Sequence, residues 1–374
     1  MAEEKRASLP PQSPRTWHGM TAGVWFPLLW RNRFAVSPSR WAMAVIISPI
    51  SVINSTLRGM SELLYRRKAE ALTIEHPPLF VIGHWRTGTT WLHELLVKDE
   101  RMSFPTTYHC MVPHHFLLTE RVLSGPMNWL MPSKRPMDEM PVGMSRPQED
   151  EFALMNLGVK TPYLEWAFPN RHERFDEYLT LQPLSAAERE KWKHEFDWFV
   201  RRLTLNSPKR LVVKSPTHTA RVATLLEIYP QARFVHVVRN PLDTIPSTIR
   251  TWTRMTDAMS LQYRKDPISP DRILDVFNLM YDQFEQDRAL IPADRFYEVR
   301  YEDLVANPLA ELEKIYQQLD LGDFAPARPP IEAYLASIAG YKKNEHRVPD
   351  ELKQKIITRC KAYIERYGYQ EAVV

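Results

Sequence analysis

The chain has 374 residues, 44% hydrophobic and 25% charged, so it can bury a large core as one big domain or two, and it is neither disordered nor fibrous in composition. A net charge of only +4 argues against general nucleic-acid binding and leaves room for no more than a local basic cleft. Cys110 and Cys360 stand far apart and form neither a metal nor a disulfide pattern, which favours a reduced, cytoplasmic setting.

The first residues, Met1-Ala-Glu-Glu-Lys-Arg, contain acid and adjoin no apolar run, so they do not read as a secretory signal. Residues 1–75 read as an extension, polar and then helical, stopped by Pro77-Pro78. Within it, Trp41 to Leu57 carries no charge. That is the lower end of what a membrane span needs, and Ser48, Pro49, Ser51, Asn54 and Ser55 interrupt it. Trp25, Phe26, Leu28, Leu29, Trp30 and Phe34 precede it beside Arg31, Arg33 and Arg40, and Arg66-Arg67-Lys68 follow. Aromatic and basic residues around a short apolar run suit a helix lying in a membrane interface. A helix packed on the rest of the protein is the preferred expectation, and a span is not expected.

The second domain, 76–374, opens with Phe80-Val-Ile-Gly-His-Trp-Arg-Thr-Gly-Thr-Thr-Trp, an apolar strand running into a tight loop and a helix from Trp91 to Lys98. Gly83 and Gly88 have the spacing of a phosphate-cradling loop, but Thr89 stands where a nucleoside triphosphatase has its lysine, and the loop's cation is Arg86. Backbone N–H groups of Thr87 to Thr90 at a helix start, with the Thr89 and Thr90 hydroxyls and Arg86, suit a phosphate-bearing ligand other than ATP with magnesium. On its own, such a glycine turn is weak evidence.

Residues 101–150, rich in Met, Pro and His, read as a long structured loop. Helical patterns return near 151–158 and 186–203. Leu211-Val-Val-Lys214 reads as a strand, followed by Ser-Pro and a helix to about Tyr229, then by the strand Arg233–Val238. That spacing predicts a parallel strand–helix–strand unit. Phe296–Arg300 is a further strand, and Asn307 caps a helix that starts at Pro308. The expected architecture is α/β, a parallel central sheet flanked by helices, similar to P-loop nucleoside triphosphatases, with a helical N-terminal extension.

Three strands end in polar groups, at Gly83–Thr90, Lys214-Ser215-Pro216 and Arg239-Asn240-Pro241, and open parallel sheets bind ligands beyond their strand ends. A triphosphatase ends its second strand in aspartate to hold Mg²⁺, but this chain has Arg239, which attracts an anion and repels a metal. Ser247, across a turn, could share the anion.

Taken together, Trp85-Arg86-Thr87-Gly88-Thr89-Thr90-Trp91 and Val238-Arg239-Asn240-Pro241 with Ser247 resemble the two cofactor signatures of sulfotransferases that use PAPS (3′-phosphoadenosine 5′-phosphosulfate). The likeness covers roughly residues 76–350. It implies that the first motif, including Trp91, holds the 5′-phosphosulfate, that Arg239 and Ser247 hold the 3′-phosphate, and that no metal takes part. The arginine in the first motif is similar to the branch that includes tyrosylprotein sulfotransferases. In that branch a lysine at the position of Lys214 reaches the bridging oxygen of the donor. Tyr301 matches a tyrosine near the adenosine, and Lys342 and Lys343 are a loose match to late residues on the 3′-phosphate.

Sulfuryl transfer also needs a group to take the acceptor's proton. In the tyrosylprotein branch it is a glutamate, but the equivalent positions here are Thr106 and Thr107. Imidazole serves elsewhere in the family, so His109 is the first candidate and His114 or His115 the next. Glu149, Asp150 and Glu151 are carboxylate alternatives that equally suit a helix N-terminus. The acceptor is expected to be a hydroxyl, less readily an amine, on a bulky, lipid-linked or glycan-linked molecule. A metal-dependent kinase and a non-catalytic, membrane-associated nucleotide binder are the competing readings; the first requires Mg²⁺-dependent ATP binding and the second no release of PAP, the desulfated donor.

Overall fold

The computed structural model describes residues 14–131, 142–338 and 348–371. The chain divides into two compact units. One comprises Met1–Ile74, Pro105–Pro208 and Arg250–Ile268; the other comprises Glu75–Phe104, Lys209–Ile249 and Ser269–Val374. Residues 1–74, read from the sequence as an extension, thus cluster with two later stretches.

The second unit is built on five parallel strands: β1 (Leu79–Ile82), β2 (Met102–Ser103), β3 (Arg210–Lys214), β4 (Arg233–Val238) and β5 (Phe296–Arg300), in the order β2-β3-β1-β4-β5. The strands are continuous apolar runs rather than alternating ones because both faces of the sheet are covered. On one face Leu79, Val81, Val212, Val235 and Val237 pack with Leu92 and Leu95 of helix Thr89–Leu96 and with Leu312 and Ile315 of helix Pro308–Gln318. On the other, Phe80 stacks on Phe234 with ring centroids 5.3 Å apart. An aromatic layer of Phe277, Tyr281 and Phe284 from helix Pro270–Asp287 continues there with Tyr363 of helix Lys361–Arg366.

β1 is central, with Leu79 opposite Val212 on one side and Arg233 on the other. The predicted strand–helix–strand unit of residues 211–238 forms, but β1 lies between its two strands. As a result the loops that follow β1, β3 and β4 emerge side by side, which is where open parallel sheets hold ligands.

The first unit is helical, with helices Ala22–Arg31, Trp41–Glu70, Thr107–Met111, Phe116–Trp129, Glu151–Asn156 and Ala186–Asn206. One expectation is extended here and one changes. The apolar run at 41–57 belongs to a helix of 30 residues. Among the described residues, the stretch Pro38–Glu70 is the one long and apolar enough to cross a membrane by length and composition. The region 101–150 is also more than a loop: Thr106 caps helix Thr107–Met111 in a reciprocal box with His109, and Phe116–Trp129 is helical despite Gly125 and Pro126.

Candidate active site

The loop after β1 is shaped by three residues with positive φ: Gly83 at 145°, Arg86 at 69° and Gly88 at 104°. At Gly88 glycine is required twice over, since a Cβ would also lie 2.3 Å from Cδ2 of the Tyr301 ring. Arg86 is not glycine, and a left-handed conformation costs it on the order of 1 kcal/mol or more. Three contacts hold it there. Its Nε donates to Ser247 Oγ at 3.0 Å, and its carbonyl accepts from Arg239 Nη1 at 2.9 Å. The Thr87 backbone and hydroxyl both donate to the carbonyl of His84, closing the turn beneath it.

This uses the Thr87 side chain inside the loop, whereas its backbone follows the expected path to the helix start. The helix begins at Thr89, which is buried, and Thr90 accepts from Lys214 Nζ at 3.2 Å. Lys214 is 2% exposed at the end of β3. Trp91 is half-buried and packs edge-on toward Tyr301, with ring centroids 6.5 Å apart. The Gly83 N–H donates to Thr219 Oγ1, in the turn Pro216–Ala220 after β3, at 2.7 Å.

Arg239, directly after β4, is 9% exposed and fixed from several sides. Its guanidinium carbon lies 4.2 Å from the Tyr301 ring centroid, a cation–π contact. Nη2 meets Asp243 Oδ2 at 3.3 Å. Tyr363 accepts from the Arg239 backbone N–H at 3.2 Å and lies 3.1 Å from the Arg239 carbonyl, to which its hydroxyl donates. Arg86, Lys214 and Arg239 are therefore joined through Thr90, Ser247 and Tyr301 into one cationic cluster with a backbone cradle beside it. That is a set of donors suited to anionic groups. Among the described residues, no group of three or more His, Cys, Asp or Glu could hold a metal ion. Lys342 and Lys343 lie outside the described residues.

The predicted imidazoles belong to the helical unit. His109 is buried, its Nδ1 accepts from the Thr106 N–H at 3.2 Å, and its Nε2 lies 2.9 Å from Glu120 Oε1. Burial alone would raise the Glu120 pKa, but the contact with His109, helped by Asn206, brings it below its ordinary value. His114 is fully buried with Nε2 on the Asn156 carbonyl at 2.9 Å, and desolvation lowers its pKa to about 3. His115 bridges Thr119 and Asn54, and desolvation lowers it to about 4. Glu149 is half-buried and accepts a short hydrogen bond from the Tyr163 hydroxyl, while Asp150 and Glu151 are buried at the start of helix Glu151–Asn156.

Sequence reasoning missed Tyr363, Asp243 and Thr219 as supports of this cluster. Tyr363 carries no local signal, because it is 124 residues from its partner Arg239. Asp243 was detectable four positions after Arg239, in the first turn of helix Pro241–Met259.

The Sulfotransferase family profile matches residues 77–326. Two curated relatives are each 40% identical over 353 residues, covering 94% of this chain and 91% of theirs. Both are named omega-hydroxy-beta-dihydromenaquinone-9 sulfotransferase Stf3, one from Mycobacterium bovis and one from Mycobacterium tuberculosis. Among solved structures, sulfotransferase STF9 from Mycobacterium avium matches with a TM-score of 0.67 at 16% identity, over 93% of this chain and 96% of that one. Sulfotransferase STF1 from Mycobacterium tuberculosis H37Rv matches with a TM-score of 0.59 at 18% identity, over 86% and 88% of the two chains.

Proposed function

The chain belongs to the sulfotransferase family, and from that premise we propose that it moves a sulfuryl group from PAPS to the hydroxyl of a lipid acceptor, releasing PAP. The observation that carries the donor assignment is the linked set Arg86, Ser247 and Arg239, in which one loop and one strand end are locked together around the positions of the family's two phosphate signatures. The acceptor class rests on the 40%-identical relatives, whose name states a lipid substrate. Family membership leaves the kinase reading without support.

When bound, the donor supplies an activated sulfuryl group whose S–O bridge to the 5′-phosphate breaks as the acceptor oxygen bonds to sulfur. Backbone N–H groups of Thr87 to Thr90 and the cations Arg86 and Lys214 would bear the charge that collects on the departing phosphate oxygen. Lys214 is well suited because burial at a strand end leaves its ammonium little freedom. Arg239 and Ser247 would hold the 3′-phosphate, and Tyr301 would offer its ring to the adenosine. Lys342 and Lys343 are proposed to add to the 3′-phosphate site.

His109 is proposed to take the acceptor's proton at Nδ1, releasing the Thr106 N–H, with Glu120 steadying the ring from Nε2. Desolvation makes His114 and His115 weak bases at neutral pH, which ranks them below it. Glu149 is the alternative. The test is incubation of the purified protein with PAPS and a lipid extract, following PAP release and a mass gain of one sulfuryl group. Lipid sulfation supports the proposal; tight PAP binding with no sulfated lipid, while a polar acceptor pool is sulfated, overturns the acceptor class.

A further inference from the structure

The helix Trp41–Glu70 has its polarity reversed. The face turned into the protein carries Ala44, Ile47, Ser51, Asn54, Ser61 and Ala69. The face turned outward carries Val45, Ile46, Val52, Ile53, Leu63 and Leu64, with Leu63 87% exposed. A helix on a water-soluble surface does the opposite, hiding its large apolar residues and showing its small polar ones. Small residues packed inward and held by polar contacts, with bulky apolar residues outside, is how helices pack against one another in lipid.

The inward contacts are specific. Asn54 donates to the carbonyls of His18 and Met20 at 2.7 and 3.0 Å, and Trp25 Nε1 donates to Ser48 Oγ at 3.0 Å. Ser48, Ser51 and Ser55 donate back into their own helix, so their hydroxyls are satisfied without water. One face of the helix is therefore committed to protein along its length, which suits lying in a membrane plane rather than crossing it.

The apolar surface extends beyond this helix. In helix Ala22–Arg31 and the turn after it, Phe26, Pro27, Trp30 and Phe34 line an open groove of about 560 Å³ together with Arg31, and Trp30 is 77% exposed. On helix Phe116–Trp129, which also packs against Trp41–Glu70, Trp129 is 87% exposed and Val122 is 70% exposed. Exposed tryptophans are the residues that settle at a lipid–water boundary. Large apolar side chains exposed on several helices of one unit mark an interaction surface.

Charge selects the partner. Between Glu4 and Glu62 the chain has no acidic residue, but it has Arg31, Arg33, Arg40 and Arg58 outside the core, and Arg66-Arg67-Lys68 closes the helix. We infer that this helical face is a docking surface for an anionic lipid bilayer, into which helix Trp41–Glu70 lies flat with its Val, Ile and Leu side chains among the acyl chains. The inference deepens the lipid-acceptor reading by naming the surface on which the enzyme would meet its substrate. It is nonetheless tested without turnover.

The experiment is flotation of the purified full chain with vesicles of phosphatidylcholine alone and of phosphatidylcholine mixed with phosphatidylglycerol. Binding is expected to the anionic vesicles, to weaken with salt, and to be released by alkaline carbonate. The triple variant Val45→Ser, Ile53→Ser, Leu63→Ser should bind about a hundredfold more weakly, with thermal stability and PAP affinity unchanged. Absence of wild-type binding to either vesicle overturns the inference. So does resistance to carbonate, which would mean a span. A concentration-dependent dimer that the triple variant abolishes, without vesicle binding, would assign the face to a second copy of the chain. Vesicle binding with no lipid sulfation would leave the surface standing and remove only the acceptor reading.

Discussion

Arg239 donates from Nη1 to the backbone carbonyl of Arg86 across 2.9 Å, so the arginine after β4 holds the loop after β1 in shape. Arg86 in turn reaches Ser247 on the helix that follows Arg239. The two phosphate sites proposed above are therefore one mechanical unit. Arg239→Lys keeps the charge but loses the planar fork that serves the carbonyl, the Tyr301 face and an anion at once. Calorimetry with PAP should show affinity falling by about ten- to a hundredfold, and Ser247→Ala should cost less, about tenfold. Unchanged affinity in both variants would place the 3′-phosphate elsewhere.

Gly88→Ala tests the cradle itself. The new methyl group would sit 2.3 Å from the Tyr301 ring at a residue with φ of 104°, and that ring is pinned under Arg239. The loop must shift, and a displaced cradle is expected to lower kcat/KM a hundredfold or more while the fold survives. A variant with wild-type kcat/KM and a wild-type melting temperature would mean that the loop takes no part in donor binding.

Tyr363→Phe removes one hydroxyl that serves both backbone groups of Arg239. The backbone N–H and carbonyl lose a buried partner, at about 1–3 kcal/mol. Because Tyr363 positions Arg239 without being proposed to touch the donor, KM for PAPS should rise several-fold with kcat nearly unchanged. A fall in kcat at constant KM would point to a different role.

The β1 loop, Lys214 and Arg239 could be read from the sequence because each lies at the end of a short apolar strand, where type and position are both local signals. The order β2-β3-β1-β4-β5 was not readable, since β1 inserts between strands that follow it by 133 residues or more in the registers Leu79 to Val212 and Leu79 to Arg233. Nor was the network around Arg239, whose partners at Arg86, Tyr301 and Tyr363 are brought in by the sheet and the C-terminal helices. The inverted helix was half visible: its uncharged run stood out, but which of its faces is buried depends on Asn54 and the serines finding partners far along the chain. The histidines of 109–115 gave the opposite lesson. Their clustering made each a candidate for the same role, with His109 first, and only the fold separates them by giving each ring its own partners.

Three buried histidines and the half-buried His18 should make the protein acid-sensitive. Desolvation lowers His84 and His114 to about 3 and His18 and His115 to about 4, while unfolding returns each toward about 6.5. As the pH falls below about 6.5 the unfolded chain binds protons that the folded chain refuses, so stability present at neutral pH is lost on the way down. The upper bound is about 1.4 kcal/mol per pH unit for each group. Urea midpoints should fall steadily between pH 6.5 and 4, a range that follows from these shifts. His114→Gln, which retains a donor for the Asn156 carbonyl, should flatten the slope. A pH-independent midpoint would show that these rings are hydrated in the folded state.

The proton acceptor is decided by comparing His109→Gln with Glu149→Gln. Loss of the His109 ring also removes half of the capping box on helix Thr107–Met111 and the partner of Glu120, so some destabilisation, about 1 kcal/mol, is expected whatever its chemical role. The informative readout is therefore kcat at saturating PAPS, measured on protein whose PAP affinity matches wild type. If His109 takes the proton, kcat should fall by about 10²–10⁴ in His109→Gln, and Glu120→Gln should lower it more modestly by releasing the ring. Glu149→Gln should then retain most of its turnover. The reverse pattern, with Glu149→Gln inactive and His109→Gln near wild type, would move the role to the carboxylate held by Tyr163 and leave His109 as a helix cap.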